Sequence, residues 1–171
     1  LVDRLAILNA PHPGRYAELL RDSDQLQKSW YVFFFQIPLL PELMLTAGDY
    51  AGLANLFRAT TCRPDAFTDA DIARYQAAFR QPGAPTAAIN YYRALGRANL
   101  TGDAPQIRRI TCPTLLLWGE QDVALSIENT TELSRWVPNL RVTRIPDASH
   151  WVQVDAPETV NAALLEFLGT P

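Results

Sequence analysis

The sequence has little of what marks several specialised classes of protein. Its 171 residues include only two cysteines, Cys62 and Cys112, which lie far apart and lack the spacing of a metal site. We therefore expect free thiols in a reducing compartment and a cytoplasmic protein. No apolar stretch approaches the roughly 20 residues that a membrane span needs. The most apolar segment, residues 30–45, is interrupted by prolines and polar residues, so we expect no membrane partner.

The sequence also has few charged residues and shows no signal-peptide pattern. Charged residues make up 19% of the chain, the net charge is -3, and no basic stripe is visible, so we expect no nucleic-acid partner. No basic segment followed by an apolar core and a small-residue cleavage site begins the chain. The first residue is not Met and leads directly into a predicted strand, so we expect the original N-terminus to lie upstream. The 48% hydrophobic content is that of a globular domain.

Helical patterns dominate the region from Arg15 to about Gly102, where no alternation of strand type has any length. Thr68 is a plausible N-cap, and Asp71 three residues later approximates a capping box. Residues 87–95 give another helical pattern, and several prolines divide the region into short helices.

Strand patterns lie on either side of this helical region. Residues 5–8 form an apolar run that ends at proline and glycine and predicts a buried strand. Residues 114–118 form an uninterrupted apolar run between Pro113 and Gly119, as in a strand buried on both faces of a parallel sheet. Residues 140–145 alternate and predict a strand nearer the sheet edge.

Helices are predicted to alternate with these strands. Residues 127–137 and the segment that opens at residues 155–158 have helical patterns. The predicted core face of the last helix comprises Val160, Leu164, Phe167 and Leu168. Alternating strands and helices predict the α/β class, with a parallel sheet flanked by helices. Three strands make a short sheet, so the first strand should present an unpaired edge, which suggests that half of the sheet is missing.

Two polar residues follow strands in a way that predicts a catalytic pair. Asp122 comes just after the most buried strand, and His150 comes just after the last one. Because functional residues in parallel sheets lie beyond the carboxyl ends of the strands, both should meet at one sheet edge. A carboxylate bonded to one imidazole nitrogen would fix the tautomer, so that the other nitrogen can act as a base. Either residue alone would more often be structural, and Glu120 is a weaker rival for the acid.

The segments around this pair resemble those of a known family. Residues 114–122, Thr-Leu-Leu-Leu-Trp-Gly-Glu-Gln-Asp, and residues 145–158, which begin Ile-Pro-Asp-Ala-Ser-His-Trp, resemble the acid and histidine segments of α/β-hydrolases. In that family the order along the chain is nucleophile, acid, histidine. The resemblance extends over essentially all 171 residues, and these motifs are specific to the superfamily but not to one reaction.

The helical region resembles the lid of epoxide hydrolases. Residues 9–13, Asn-Ala-Pro-His-Pro, resemble the entry to that lid, and residues 29–38 resemble a lid motif with a tyrosine before Phe-Gln-x-Pro. By spacing, Tyr31 takes that position. Tyr92, before an arginine, takes the second tyrosine position, and its neighbour Tyr91 is the main rival. The similar segment of fluoroacetate dehalogenases carries a tryptophan as halide ligand where Tyr31 stands.

The chemistry of epoxides explains a pair of phenols. A phenol, with a pKa near ~10, is a neutral donor at pH 7 and suits the alkoxide that develops as the ring opens. Each tyrosine has a structural alternative as a core residue with a satisfied hydroxyl. Five aromatic side chains could line an apolar substrate pocket: Trp30, Phe33, Phe34, Phe35 and Trp151. Most aromatic residues of this kind are simply part of a core. His12, between two prolines, is more often structural.

The resemblance also implies parts that these residues do not contain. The family's nucleophile, an Asp on a Gly-x-Asp-x-Gly-like turn, and its oxyanion-hole segment are absent from the chain and would lie upstream of Leu1. We therefore expect a companion N-terminal segment, and an isolated chain that is inactive. The implied division is residues 1–14 as core strand and lid entry, 15–105 as lid, and 106–171 as C-terminal core.

The implied activity is hydrolysis of an epoxide to a diol through a covalent ester. An apolar epoxide would be the substrate, and neither a metal nor an organic cofactor would be needed. Dehalogenation or ester hydrolysis on the same fold is the main alternative. A non-catalytic fragment or interaction module is a third reading, although an incomplete sheet with exposed apolar faces argues against it.

Overall fold

Three parallel strands form the sheet, in the order β1-β2-β3. In the computed structural model, which describes residues 2–101 and 106–169, the strands are β1 (Leu5–Leu8), β2 (Thr114–Gly119) and β3 (Leu140–Ile145). Leu5 pairs with Thr114, and Thr114 pairs with Leu140 on its other side. The predicted parallel α/β sheet is confirmed. Residue 1 and residues 102–105 and 170–171, which fall within the predicted division, lie outside the described residues.

Between β1 and β2, the described residues form six helices. Their bounds are α1 Pro13–Leu19, α2 Ser23–Lys28, α3 Trp30–Phe34, α4 Leu40–Thr60, α5 Asp69–Phe79 and α6 Ala84–Thr101. Thr68 caps α5, and its hydroxyl and backbone N–H exchange hydrogen bonds with Asp71, so the predicted capping box is confirmed. Helix α4 is interrupted at residues 47–50, where Gly48, Asp49 and Tyr50 have positive φ. Among the described residues, no helix is both long and apolar enough to cross a membrane.

The elements after β2 are shorter than the sequence predicts. A 3-10 turn spans Ile127–Thr130, and the last two helices are α7 (Val152–Asp155) and α8 (Pro157–Gly169). The predicted helix over residues 127–137 is therefore wrong beyond the first turn. Glu132, with φ 56, has left-handed backbone that interrupts any continuous helix there.

Side chains on the two faces of β2 pack into two cores. Leu115 and Leu117 lie on one face, in a cluster with residues of α7 and α8. Leu116 and Trp118 lie on the other face, with Leu125. Because successive strand residues point to opposite faces, burial on both sides requires the continuous apolar run that the sequence shows.

Two sequence expectations about burial need correction. Strand β1 is half-buried along its whole length, not fully buried, since it pairs only with β2 among the described residues. On α8, Val160 and Phe167 are buried as predicted, but Leu168 is 58% exposed and does not belong to the core face.

The described residues form two compact units. One unit holds the sheet and comprises residues 2–28, 60–63 and 107–169. The other, here called the lid unit, comprises residues 29–59, 64–101 and 106. The division at 15–105 stays a prediction; it overlaps the lid unit, but residues 15–28 and 60–63 group with the sheet.

Candidate active site

Asp122 lies in the turn that leaves β2 and has no exposed side-chain surface. Its Oδ1 accepts hydrogen bonds from the backbone N–H groups of Ala124, at 2.8 Å, and Leu125, at 3.0 Å. An aspartate bonded to the backbone two and three residues later stabilises a tight turn. The turn therefore holds one carboxylate oxygen and leaves the other to face a neighbouring loop.

His150 lies in that neighbouring loop, which follows β3. Its Nδ1 is 2.8 Å from Oδ2 of Asp122, and its side chain is 34% exposed. The edge of the imidazole ring faces Trp151, with 5.2 Å between ring centroids. Because β2 and β3 are parallel neighbours, their carboxyl ends bring the two loops together, as the sequence predicts.

The surroundings of Asp122 favour its anionic form. Burial alone would raise the pKa of this carboxyl, but the hydrogen bond and the charge of His150, together with the hydrogen bonds from Asn9 and Ala124, hold the pKa below its ordinary value. An ionised Asp122 requires a proton on Nδ1 of His150. The opposite ring nitrogen, Nε2, is then the position that can accept a proton from water.

Gly119 allows the two loops to approach each other. A Cβ atom at this position would lie 2.5 Å from the carbonyl oxygen of Ala148 and even closer to that of Ser149. The backbone N–H of Gln121 donates to Ala148 at 3.0 Å, which holds the loops together. Only glycine fits where the histidine loop crosses the end of β2.

A second buried carboxylate, Asp155, supports the histidine loop. Its Oδ2 accepts from the backbone N–H and the hydroxyl of Ser149, at 2.8 and 2.5 Å. Its Oδ1 accepts from the Thr61 hydroxyl and from the Cys62 backbone N–H, the latter at 3.2 Å. Burial acts to raise the pKa of Asp155, but these hydrogen bonds lower it below its ordinary value.

The sequence did not indicate three residues that support this site. Asn9 and Asp155 contact the pair or its loops, and the fully buried Gln25 accepts from Ser126 N–H at 2.9 Å beyond the acid turn. An asparagine or glutamine in a sequence carries no sign of its partner. A buried polar side chain at the end of a strand would suggest a supporting role, but the sequence does not show that these positions are buried.

In the lid unit, Tyr31 and Tyr92 lie beside each other. Their ring centroids are 5.7 Å apart, with the rings nearly perpendicular. Phe35 packs against both, at 5.8 Å from Tyr31 and 4.9 Å from Tyr92. Helices α3 and α6 therefore bring the two predicted tyrosines into one aromatic cluster.

Polar residues of the two lid motifs fix these helices to each other. The Gln36 side chain donates to the backbone carbonyl of Tyr92 at 3.2 Å. Arg93 donates to the carbonyl of Phe35 and binds Glu42 through both guanidinium Nη atoms, at 2.6 and 3.1 Å. The hydrogen bond from Arg93 lowers the pKa of Glu42. Arg93, which follows Tyr92, thus holds the two lid motifs together.

The rival acid and tyrosine lie in exposed positions. Tyr91 is 82% exposed, and Glu120 is exposed, with its backbone N–H bonded to the carbonyl of Ile145. His12 caps α1 by accepting from Gly14 N–H and stacks on the Trp136 ring, which favours its structural reading.

The predicted pocket residues differ in exposure. Trp30 is 64% exposed, whereas Phe34 and Phe35 are half-buried in the aromatic cluster of the lid unit. Trp151 is half-buried, and its indole N–H donates to the Thr60 hydroxyl at 2.8 Å. Over residues 2–101 and 106–169, no group of three or more His, Cys, Asp or Glu side chains could hold a metal ion.

The chain belongs to the α/β-hydrolase family. A sequence model of the alpha/beta hydrolase fold matches residues 15–157. This agrees with the parallel sheet and with the order of acid and histidine at its carboxyl edge.

Within this family the chain is similar to epoxide hydrolases. It is 38% identical to human epoxide hydrolase 4 over 98% of its length, which covers 47% of that protein. It is 35% identical to Caenorhabditis elegans epoxide hydrolase 2, with 98% and 48% covered. A crystal structure of Bacillus megaterium epoxide hydrolase with an inhibitor matches 99% of the chain and 61% of its own, with a TM-score of 0.86 and 27% identity. The chain thus spans about half the length of the curated relatives it matches.

Proposed function

We propose that this chain provides the acid, the base and the lid of an epoxide hydrolase. The observation that carries the proposal is the pairing of Tyr31 with Tyr92 in the lid unit, since two neutral phenol donors suit an epoxide oxygen. The hydrogen-bonded Asp122 and His150 supply the base that a hydrolytic step needs. The similarity to epoxide hydrolases supports the same choice.

The proposed reaction has two steps. In the first, a carboxylate on a companion N-terminal segment attacks an epoxide carbon, the C–O bond breaks, and the released oxygen takes a proton from Tyr31 or Tyr92. The product is a covalent alkyl ester. In the second, His150, oriented by Asp122, takes a proton from water, and the resulting hydroxide cleaves the ester to release the diol. Proton exchange with solvent restores the phenol and the imidazole.

An activity assay tests this proposal on the chain together with its companion segment. We expect diol formation from an aryl epoxide such as styrene oxide. Tyr31→Phe and Tyr92→Phe should each lower kcat/KM by about a hundredfold or more, the usual loss on removal of one oxyanion donor. Tyr91→Phe is the matched control, because Tyr91 is next in the chain but 82% exposed, and it should leave kcat/KM unchanged.

The covalent step has its own readout. His150→Gln should stop the second step only, so the polypeptide that carries the attacking carboxylate should gain the mass of one epoxide. Halide release from a chloroalkane without any diol would favour a dehalogenase, and cleavage of a simple ester alone would favour an esterase. A protein without turnover that tolerates alanine at Asp122 and His150 would be the non-catalytic alternative.

A further inference from the structure

Asn9, at the end of β1, has an unusual backbone for a buried side chain. It is 3% exposed and has φ 40, in the left-handed region that few residues other than glycine and asparagine adopt. Its backbone N–H continues the ladder to β2 by donating to the Leu117 carbonyl at 3.0 Å. This conformation directs the side chain toward the turn that follows β2.

Both ends of the Asn9 amide are used there. Oδ1 accepts from the Gly119 backbone N–H at 2.7 Å, and Nδ2 donates to Oδ2 of Asp122 at 2.7 Å. A weaker contact joins Nδ2 to the Gly119 carbonyl at 3.4 Å. The orientation of the amide follows from chemistry, since an N–H needs an acceptor and an ionised carboxylate needs a donor.

The two oxygens of Asp122 therefore have different supports. Oδ1 is held by the backbone N–H groups of Ala124 and Leu125 within its own turn. Oδ2 forms hydrogen bonds within the described structure to Nδ2 of Asn9 and to Nδ1 of His150. Asn9 is thus the fixed donor that holds Oδ2 in place opposite the imidazole.

No other side chain of similar size would serve as well at this position. A leucine would leave the buried N–H of Gly119 without an acceptor, and an ionised aspartate would place a second negative charge next to Asp122. A neutral amide stabilises the anion without changing the net charge of the site. Asparagine also tolerates the positive φ that the strand end requires.

We infer that Asn9 is a positioning residue, whose amide fixes the Asp122 carboxylate so that it binds Nδ1 of His150. The consequence for turnover rests on the proposed function. The consequence for the hydrogen bond between Asp122 and His150 is independent of the proposed function, since it follows from the geometry of the unit that holds the sheet.

The test uses the substitution Asn9→Gly, which permits the same positive φ and removes the side-chain amide. Proton NMR of the purified protein reports the His150 Nδ1–H as a downfield signal when it is held by a carboxylate. We expect this signal in the parent and its loss by exchange broadening in Asn9→Gly. Asn139→Gly is the matched control: Asn139 also donates through its side chain, to Thr111, but at the opposite end of the sheet.

Kinetics give a second readout that a merely structural role would not produce. With an epoxide substrate, kcat should fall about ten- to a hundredfold in Asn9→Gly, as for loss of one hydrogen bond to a charged group, and KM should fall with it. The ratio kcat/KM, which reports substrate capture and ester formation, should stay within about twofold. The alkyl ester should accumulate, because only its hydrolysis uses His150.

An unchanged downfield signal in folded Asn9→Gly would overturn the inference. Loss of the signal in a protein whose parent makes no diol would support the inference and refute the proposed function, so the two failures are distinguishable. If Asn9→Gly does not fold, Asn9→Ser replaces it. Its hydroxyl can accept from Gly119 but is too short to reach Asp122 as well, so the signal should again be lost; retention there would also overturn the inference.

Discussion

The substitution Asp155→Asn tests how strongly the stability of the loop that carries His150 depends on one buried carboxylate. Asp155 accepts from two donors of Ser149 on one oxygen and from Thr61 and Cys62 on the other. An amide in its place has only one acceptor atom. In either orientation of that amide, its NH2 group must face a backbone N–H, that of Ser149 or that of Cys62.

The expected cost follows from this mismatch. The hydroxyls of Ser149 and Thr61 can rotate to accept from the amide, so their hydrogen bonds can be replaced. The buried backbone N–H cannot, and an unpaired donor costs about 1–3 kcal/mol. Loss of the charge weakens the hydrogen bonds that remain, since bonds to charged groups are worth roughly twice the neutral ones. We expect the free energy of unfolding to fall by about 2–4 kcal/mol at pH 7.

Urea denaturation at pH 7 and at pH 3 measures this loss and its pH dependence. The pKa of Asp155 is lower in the folded protein than in the unfolded chain, where it is about 3.9, so its ionised form stabilises the fold above that pH. The difference between parent and Asp155→Asn should therefore shrink as the pH falls below about 4. Asp147→Asn is the control, since Asp147 is exposed in the same loop and should change stability by less than about 0.5 kcal/mol. A loss at Asp155 no larger than the control's would refute the reasoning.

Two further substitutions test the residues that hold the loops around Asp122 and His150. Gly119→Ala places a Cβ against the carbonyl oxygens of Ala148 and Ser149, which are backbone atoms and cannot move cheaply, so the melting temperature should fall by about 10 °C or more and turnover should be lost. Gln25→Leu leaves the buried N–H of Ser126 without an acceptor and should cost about 2–4 kcal/mol in a urea titration.

Each of these has a clear contrary outcome. A Gly119→Ala protein with parental melting temperature would mean that the histidine loop can be displaced at little cost. For Gln25→Leu the control is Gln27→Leu on the same helix, where the side chain is exposed. Equal effects of the two glutamine substitutions would show that the hydrogen bonds of Gln25 contribute nothing specific.

Local patterns predicted the sheet because each strand's signal lies within its own residues. The apolar run of β2 reflects burial on both faces, and the turn after it holds Oδ1 of Asp122 through the backbone of Ala124 and Leu125, close in the chain. The same holds for Thr68 and Asp71, whose capping box is closed within four residues.

Residues 127–137 show where periodicity misleads. Thr130, Leu133 and Val137 are buried, at the spacing of one helical face. The backbone nevertheless forms only a 3-10 turn, because Glu132 takes a left-handed conformation. The pattern reported which side chains are buried, whereas the path of the backbone was decided by contacts from elsewhere, among them Gln25 on Ser126.

The sequence by itself determined the α/β class, the order of acid before histidine, and the motifs that carry the two tyrosines. Only the tertiary structure decided which residues support them. Asn9 lies 113 positions from Asp122 in the chain, and Thr61 lies 94 from Asp155. Nothing local marks such partners, because a hydrogen bond between distant segments depends on the fold that brings them together and on the burial that makes an unpaired group costly.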